Sequence, residues 1–350
     1  MSTKADQITP EELAKHWNDL LDKEPKLRIR DAAKRLGVSE ANLLETRLGS
    51  GVHRITDDLK ELFERIGELG KCMALTRNEY AVHERTGNYE EVSFGGHGGL
   101  VLGPDIDLRL FPNKWKVAYS VTDEGSTPSR KSFQFFDQNG VAVHKAYIKD
   151  DSTREAFDAI TEELAETDST GLTCFTAPEP AAKPVPDEDI DLDGFQNAWR
   201  NMKDTHDFFM ITHKYKVTRT QALRLAPESY AVQVENDSLR KALEGARDGE
   251  FPIMIFVSSP GVIQIHTGPV KKLMEYGDWF NVMDPNFNLH VLETAIASSW
   301  IVRKPTKDGV VTSLEIFDED GENILLMFGA RKPGTPELPE WLQLTTALSV

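Results

Sequence analysis

The sequence predicts an α+β protein made twice from one plan, each half placing helices first and a large antiparallel β-sheet second. Three observations carry this. Matching segments recur at a constant spacing of 181 positions: Thr86-Gly87 answers Thr267-Gly268, Gly103-Pro104-Asp105 answers Asp284-Pro285-Asn286, and Phe136-Asp137 answers Phe317-Asp318. Within each half the texture changes from helical spacing to short β-rich runs. Asn139-Gly140 and Asp320-Gly321 fall between paired runs, where residues tolerant of positive φ suit a tight hairpin turn. The period far exceeds the 20 to 50 residues of solenoid arrays, so this is a duplicated domain.

Taken from the N-terminus, Thr9-Pro10 is a helix start signal, and Glu11 to Leu21 keeps apolar positions near helical spacing. Arg30 to Leu44 (RDAAKRLGVSEANLL) has the texture of a helix-turn-helix, with Gly37 at the turn and Ser39 leading the second helix. Its counterpart runs from Tyr215 to Leu223 (YKVTRTQAL). From about residue 70 onward, CMALTR, YAVHER, DLRLF, WKVAYSV, KSFQFFD and VAVHKAYI read as strands. Between the copies, Ala177 to Asp191 (APEPAAKPVPDEDID) is rich in proline and acid, the composition of a semi-rigid linker. The expected division is therefore 1–176 for the first repeat, 177–191 for the linker and 192–350 for the second repeat.

Composition excludes several classes. Lys and Arg number 40 against 57 Asp and Glu, a net charge of −17. A nucleic-acid footprint needs clustered positive charge, and an anionic membrane surface repels such a chain. The polar start MSTKADQITPEELAKHW has no signal-peptide core, and apolar runs such as Pro252 to Val257 are too short to span a bilayer. Only Cys72 and Cys174 are present, far apart, so no disulfide framework, cysteine-rich zinc site or iron–sulfur cluster is expected. A cytoplasmic protein without membrane insertion fits best, and tandem duplication in place of dimerisation favours a monomer.

Motifs for other chemistries are weak. The second helix of the helix-turn-helix texture offers Glu40 and no arginine to a DNA groove, which leaves a DNA-binding regulator as a minor alternative. Gly95-Gly96-His97-Gly98-Gly99 lacks the order of a nucleotide-binding loop and reads as a flexible turn. Neither GxSxG nor HExxH occurs.

Among nine histidines, His206 stands out, in the segment WRNMKDTHDFF. It follows Trp199 by seven residues, whereas in the first half Glu24 holds that place after Trp17. One copy thus carries a potential metal ligand that the other lacks. A single histidine beside aromatic rings suits axial ligation of a haem iron, with the rings packing the macrocycle; the bland alternative is helix surface meeting core. His213, seven residues on, is a possible alternative ligand. If the helix continues, the carbonyl of Met202, one turn back, is the expected partner for the second ring nitrogen of His206.

The tandem α+β copies, the acidic linker, WRNMKDTHDFF, and the runs ALTRNEYAVHE, GPDIDLRLF and FFDQNGVAVHKAYI together resemble the haemin transport protein and haemin-degrading factor family of Gram-negative haem-uptake systems. The likeness covers residues 10 to 340. It implies two stacked antiparallel sheets with helices around them, and haem in a cleft between the second half's helices and sheet. It implies His206 as the proximal iron ligand, although here Thr205 precedes the histidine directly. Arg109 in Asp-Leu-Arg-Leu-Phe becomes the distal arginine, with Phe111 two residues on. Arg219 after Val-Thr, Lys304 of Arg-Lys-Pro and Arg331 at the last strand's exit become the cations for the haem propionates. Phe328 stands where the family pattern leads one to expect Tyr, which removes one hydroxyl contact near the haem edge.

Those residue types suit haem b, a flat apolar ring with two carboxylates. Neutral imidazole supplies the ligand, and arginines bind carboxylates bidentately. Arg109 stays protonated and cannot ligate iron, but a polar donor opposite the axial ligand favours oxygen activation over storage. Two functions follow as expectations: reductive or peroxide-dependent opening of the macrocycle with iron release, needing an electron donor of unknown identity; or a chaperone that takes haem from an inner-membrane transporter and passes it to an acceptor. A second haem near His83 or His97 in the first half stays open.

Overall fold

The computed structural model describes residues 8–96, 98–125, 128–167, 169–178, 184–332 and 334–349. His97, and with it the centre of the Gly95–Gly99 loop, lies outside the described residues. Helices α1 (Pro10–Lys23), α2 (Ile29–Leu36) and α3 (Glu40–Glu45) come first, then β1 (Val52–Ile55) and α4 (Leu59–Arg65). There follow β2 (Cys72–Arg77), β3 (Ala81–Gly87), β4 (Ser93–Gly95), β5 (Gly98–Leu102), β6 (Asp107–Leu110), β7 (Trp115–Asp123), β8 (Arg130–Asp137) and β9 (Ala142–Ile148). Helix α5 (Arg154–Leu164) closes the first copy.

The second copy repeats the order. It has α6 (Leu192–Arg200), α7 (Asp207–Tyr215), α8 (Arg219–Arg224), β10 (Ala231–Val234) and α9 (Ser238–Asp248). Then come β11 (Ile253–Ser258), β12 (Val262–Gly268), β13 (Leu273–Tyr276), β14 (Trp279–Asp284), β15 (Phe287–Leu292), β16 (Ser298–Thr306), β17 (Gly309–Phe317), β18 (Asn323–Gly329) and α10 (Pro339–Leu348). Strands β2, β3 and β9 recur as β11, β12 and β18 with their bounds displaced by the same 181 positions that the motifs show. The expected fold class is the one observed: helices and two large antiparallel sheets from a duplicated plan.

Two compact units result. One holds Met1–Arg77, Glu84–Pro180 and Ser258–Gln264, the other Asn78–His83, Ala181–Val257 and Ile265–Val350. The expected cut at 177–191 does not anticipate the short segments 78–83 and 258–264, which group with the opposite copy. A strand end is assigned by what it packs against, and spacing along the chain does not encode that.

Within the first unit, β1-β7-β8-β9-β2 form one antiparallel run and β6-β5-β4 another; the second has β10-β16-β17-β18-β11 and β15-β14-β13. Each five-stranded run is covered on both faces. In the second unit, α9 and α10 place Leu239, Leu243 and Trp341 against Ile255, Leu314 and Ile316. On the opposite face, α6 to α8 place Phe195, Trp199, Phe208 and Leu223 against Val302 and Phe317. Central strands β8 and β17 are therefore buried along nearly their whole length, which explains their continuous rather than alternating apolar character.

The local signals behave as their chemistry demands. Thr9 caps α1 in a capping box with Glu12. Gly140 and Gly321 take positive φ of 71° and 79° in matching turns. The Asp137 and Asp318 side chains each accept two backbone N–H groups there, at 2.8 and 2.9 Å in the first copy and 3.0 and 2.9 Å in the second. The helix-turn-helix texture is real as α2, Gly37 and α3, but every residue of α3 is buried. It has no face left for a DNA groove, so the regulator alternative falls. The end of the expected linker is docked rather than merely extended: Val185 and Asp187 accept the Gln221 side-chain amide at 2.7 and 2.8 Å. No helix among the described residues is long and apolar enough to cross a membrane.

Candidate functional site

Helix α6 ends at Arg200, and residues 201–206 turn before α7 begins. Asp207 holds this turn, its Oδ2 accepting the N–H groups of Lys203 and Asp204 at 2.9 and 3.0 Å. Asp204 in turn accepts the His206 N–H at 2.9 Å, and the same Oδ1 lies 2.5 Å from His206 Nδ1. The partner expected for the second ring nitrogen, the Met202 carbonyl, is therefore replaced by Asp204. The helix does not extend back far enough to aim that carbonyl at the ring, because His206 is its N-cap. Both hydrogen bonds from His206 keep the Asp204 carboxyl below its usual range. With Nδ1 engaged by Asp204, Nε2 is the ring nitrogen that remains for a ligand.

The His206 side chain is 94% exposed. Phe209 and Met210 are 72% and 64% exposed, and His213 is exposed as well. Positions 206, 209, 210 and 213 follow the spacing of one helix face, so two histidines flank an uncovered Phe and Met. Phe208 and Ile211 point the other way into the core. An exposed Phe alone means little, but here a phenyl and a thioether lie between two imidazoles on one exposed face.

Phe208 anchors α7. Its ring meets Trp199 edge-on at 4.6 Å, and the Lys304 ammonium and Arg219 guanidinium lie 4.7 and 5.4 Å from its centroid. Both cations converge on Glu315. Arg219 Nε and one terminal nitrogen donate to its two oxygens at 2.8 and 2.9 Å, and Lys304 Nζ reaches it at 2.6 Å. Ser313 Oγ donates at 2.9 Å. Burial alone would raise the Glu315 carboxyl, but the two cations outweigh it and hold it down at about 2. Burial lowers the Lys304 ammonium despite its partner.

This changes the expected roles of the cations. Lys304 lies within β16 rather than in a turn, and its side chain is buried on the chain's own carboxylate. It supports Glu315 from within the sheet. Arg219 spans both environments, two of its nitrogens on Glu315 while about a third of the side chain is exposed. Arg331, just past β18, is 4.0 Å from Asp308, and its buried Nε donates to nothing among the described residues.

Strand register also fixes one sheet face of the second unit. Phe328 pairs with Met254 and Ser313, and Leu326 with Phe256 and Glu315, so these six side chains share one sheet face. Met254, Phe256, Leu326 and Phe328 are half-buried, and the Phe256 and Phe328 rings meet at 5.2 Å. Sequence reasoning missed Asp204, Glu315 and Phe256. The signals were present: an acid two residues before His206, and a lone glutamate inside the apolar strand GVVTSLEIF.

In the first unit, Arg109 lies on β6 beside Asp107, with which it ion-pairs, and also donates to the Leu108 carbonyl at 3.2 Å. Its side chain is 36% exposed. Phe111 follows the strand, about as exposed. His83, which groups with the second unit, is fully buried, its ring 5.1 Å from Phe287.

Comparison with known proteins agrees with this architecture. The haemin-degrading HemS.ChuX domain matches residues 37–164 and again 216–348, once per copy. The hemin transport protein HmuS of Yersinia pestis is 40% identical over 320 residues, 91% of each chain, and HemS of Yersinia enterocolitica is 41% identical over the same length. The crystal structure of holo-PhuS, a heme-binding protein from Pseudomonas aeruginosa, superposes with a TM-score of 0.94 at 45% identity, covering 97% of this chain and 99% of that one. ChuS, an E. coli heme oxygenase, gives 0.86 at 34% identity over 96% and 99%. This chain therefore belongs to the haemin-degrading HemS/ChuX family.

Proposed function

We propose that the chain is a cytoplasmic protein of a haem-uptake system that binds haem on its second unit and opens the macrocycle, releasing iron. The observation that carries this is the Asp204–His206 pair, which engages Nδ1 and leaves Nε2 as the ring nitrogen for a ligand, beside exposed Phe209 and Met210. The residues fit the ligand: an axial imidazole, apolar side chains for the ring face, and Arg331 with an unused buried donor for a propionate. Bound haem iron supplies the oxygen chemistry; the chain's residues hold and orient the ring. Arg219, fixed by Glu315, presents its open edge to the second propionate. His213 is the alternative ligand on the same helix face.

His206→Ala in the reconstituted complex is expected to abolish or strongly shift the Soret band; an unchanged spectrum and affinity would sink the axial assignment. Turnover is tested with a reductant in the presence of catalase, following Soret loss, carbon monoxide and iron release. The exposure of His206 favours a second reading, a haem chaperone, because an uncovered ligand exchanges readily. Intact haem after prolonged reduction supports that reading, with an inner-membrane transporter as donor and a downstream acceptor.

A further inference from the structure

Haem ligation by His206 explains why an imidazole is exposed on α7, but not why Asp204 is spent on it. The Asp204 Oδ1 atom receives two donors from one residue, the backbone N–H at 2.9 Å and Nδ1 at 2.5 Å. The first fixes the residue's place in the turn, and the second fixes the ring about its side-chain torsions. Asp207 fixes Asp204 itself by accepting its N–H at 3.0 Å. The chain thus carries a nested support ending on the one ring nitrogen that must not bind metal.

We infer that Asp204 is a positioning residue for the axial ligand, selecting the Nε2 tautomer of His206 and making that imidazole a more electron-rich donor to haem iron. The inference rests on the ligation by His206 proposed above. Its physical basis is a charge-assisted hydrogen bond to the far side of a ligating imidazole, which raises ligand basicity and narrows ring orientation. In the free protein the pair is open to water, where such a bond contributes little. A bound apolar ring excludes that water and lowers the local dielectric, so the same bond strengthens in the complex. The bond to Nδ1 therefore acts on the haem-bound state and hardly at all on the folding of the free protein. An anionic partner behind the imidazole also stabilises the more positive ferric iron relative to ferrous.

The test uses the full chain reconstituted with haemin, comparing wild type with Asp204→Asn, Asp204→Ala and His206→Ala. Asp204→Asn keeps the side-chain shape and removes the charge. It is expected to lower the ferrous iron–histidine stretching frequency in resonance Raman spectra and to shift the haem midpoint potential upward. Haem transfer to apomyoglobin should accelerate by roughly 10-fold, the lower end of what losing such a support costs. Asp204→Ala should do the same with a broader Raman band, and the thermal midpoint of the free Asp204→Asn protein, whose side-chain oxygen can still accept the His206 N–H, should match wild type. An unchanged stretching frequency and potential in both Asp204 variants, with a spectrum altered by His206→Ala, overturns the positioning role while leaving the axial assignment intact. A His206→Ala spectrum identical to wild type overturns both.

Discussion

At the residue scale, the second unit depends on one buried carboxylate. Glu315 takes two cations and a hydroxyl, and those cations in turn carry Phe208 and α7. Removing the charge leaves a buried ammonium and a guanidinium without their partner. Glu315→Gln is therefore expected to destabilise the protein by about 3–5 kcal/mol, measured by urea unfolding. The pH dependence has a defined sign. The carboxyl sits at about 2 when folded, against 4.5 as its ordinary value, so the unfolded state binds the proton more readily. This stabilisation is complete above about pH 4.5 and is lost as pH falls toward 2; Glu315→Gln should flatten that part of the curve. Neither Glu315 nor Asp204 could be assigned from sequence, because an acid is read as solvated surface until its cation is seen, and the cations of Glu315 lie 96 and 11 positions away along the chain.

At the element scale, the duplication lets the two copies be compared position by position. The sheet face bearing Met254, Phe256, Leu326 and Phe328 has counterparts in Met73, Leu75, Lys145 and Tyr147. Where the second unit has Leu326, the first has Lys145, buried and paired with Glu40 at the first position of α3. The equivalent first position of α8 is Arg219, which pairs with Glu315. The clamp between helix and sheet is thus kept with its polarity reversed, and in the first unit an ammonium stands on that sheet face. One haem per chain is expected in a Soret titration. A second equivalent bound with a comparable spectrum in His206→Ala would refute this. The alternation of helices and strands was legible because periodicity and turn chemistry are local. The sheet face was not, since register decides which side chains share it.

At the scale of the whole molecule, the −17 charge and the site are separate matters. Surplus acid keeps the chain soluble, while the cations of the site are few and local. Global stability has its own acid sensor in His144, buried in the first unit. Its two ring nitrogens meet Thr76 Oγ1 at 2.9 Å and the Tyr89 hydroxyl at 2.7 Å. Burial pushes its protonation down to about 3 from 6.5, so the imidazole stays neutral when folded. The unfolded chain then binds a proton that the folded one refuses, and stability should fall as pH drops from about 6.5 toward 3. His144→Gln, which keeps a donor and an acceptor, is expected to remove that portion of the loss in chemical unfolding curves measured across this range. A variant whose curve still parallels wild type there would show that the loss comes from other groups.

The sequence by itself determined the duplication, the helix-then-sheet order, the hairpin turns and the candidate histidine, because spacing, capping and turn chemistry act over a few residues and repeat visibly. Tertiary structure alone decided what those residues face. It paired Lys304 with Glu315, replaced the Met202 carbonyl with Asp204, and buried the helix that a DNA reading required. The reason is physical: burial and charge pairing join residues far apart in the chain, and the energy of a charged side chain is set by the partner it meets after folding.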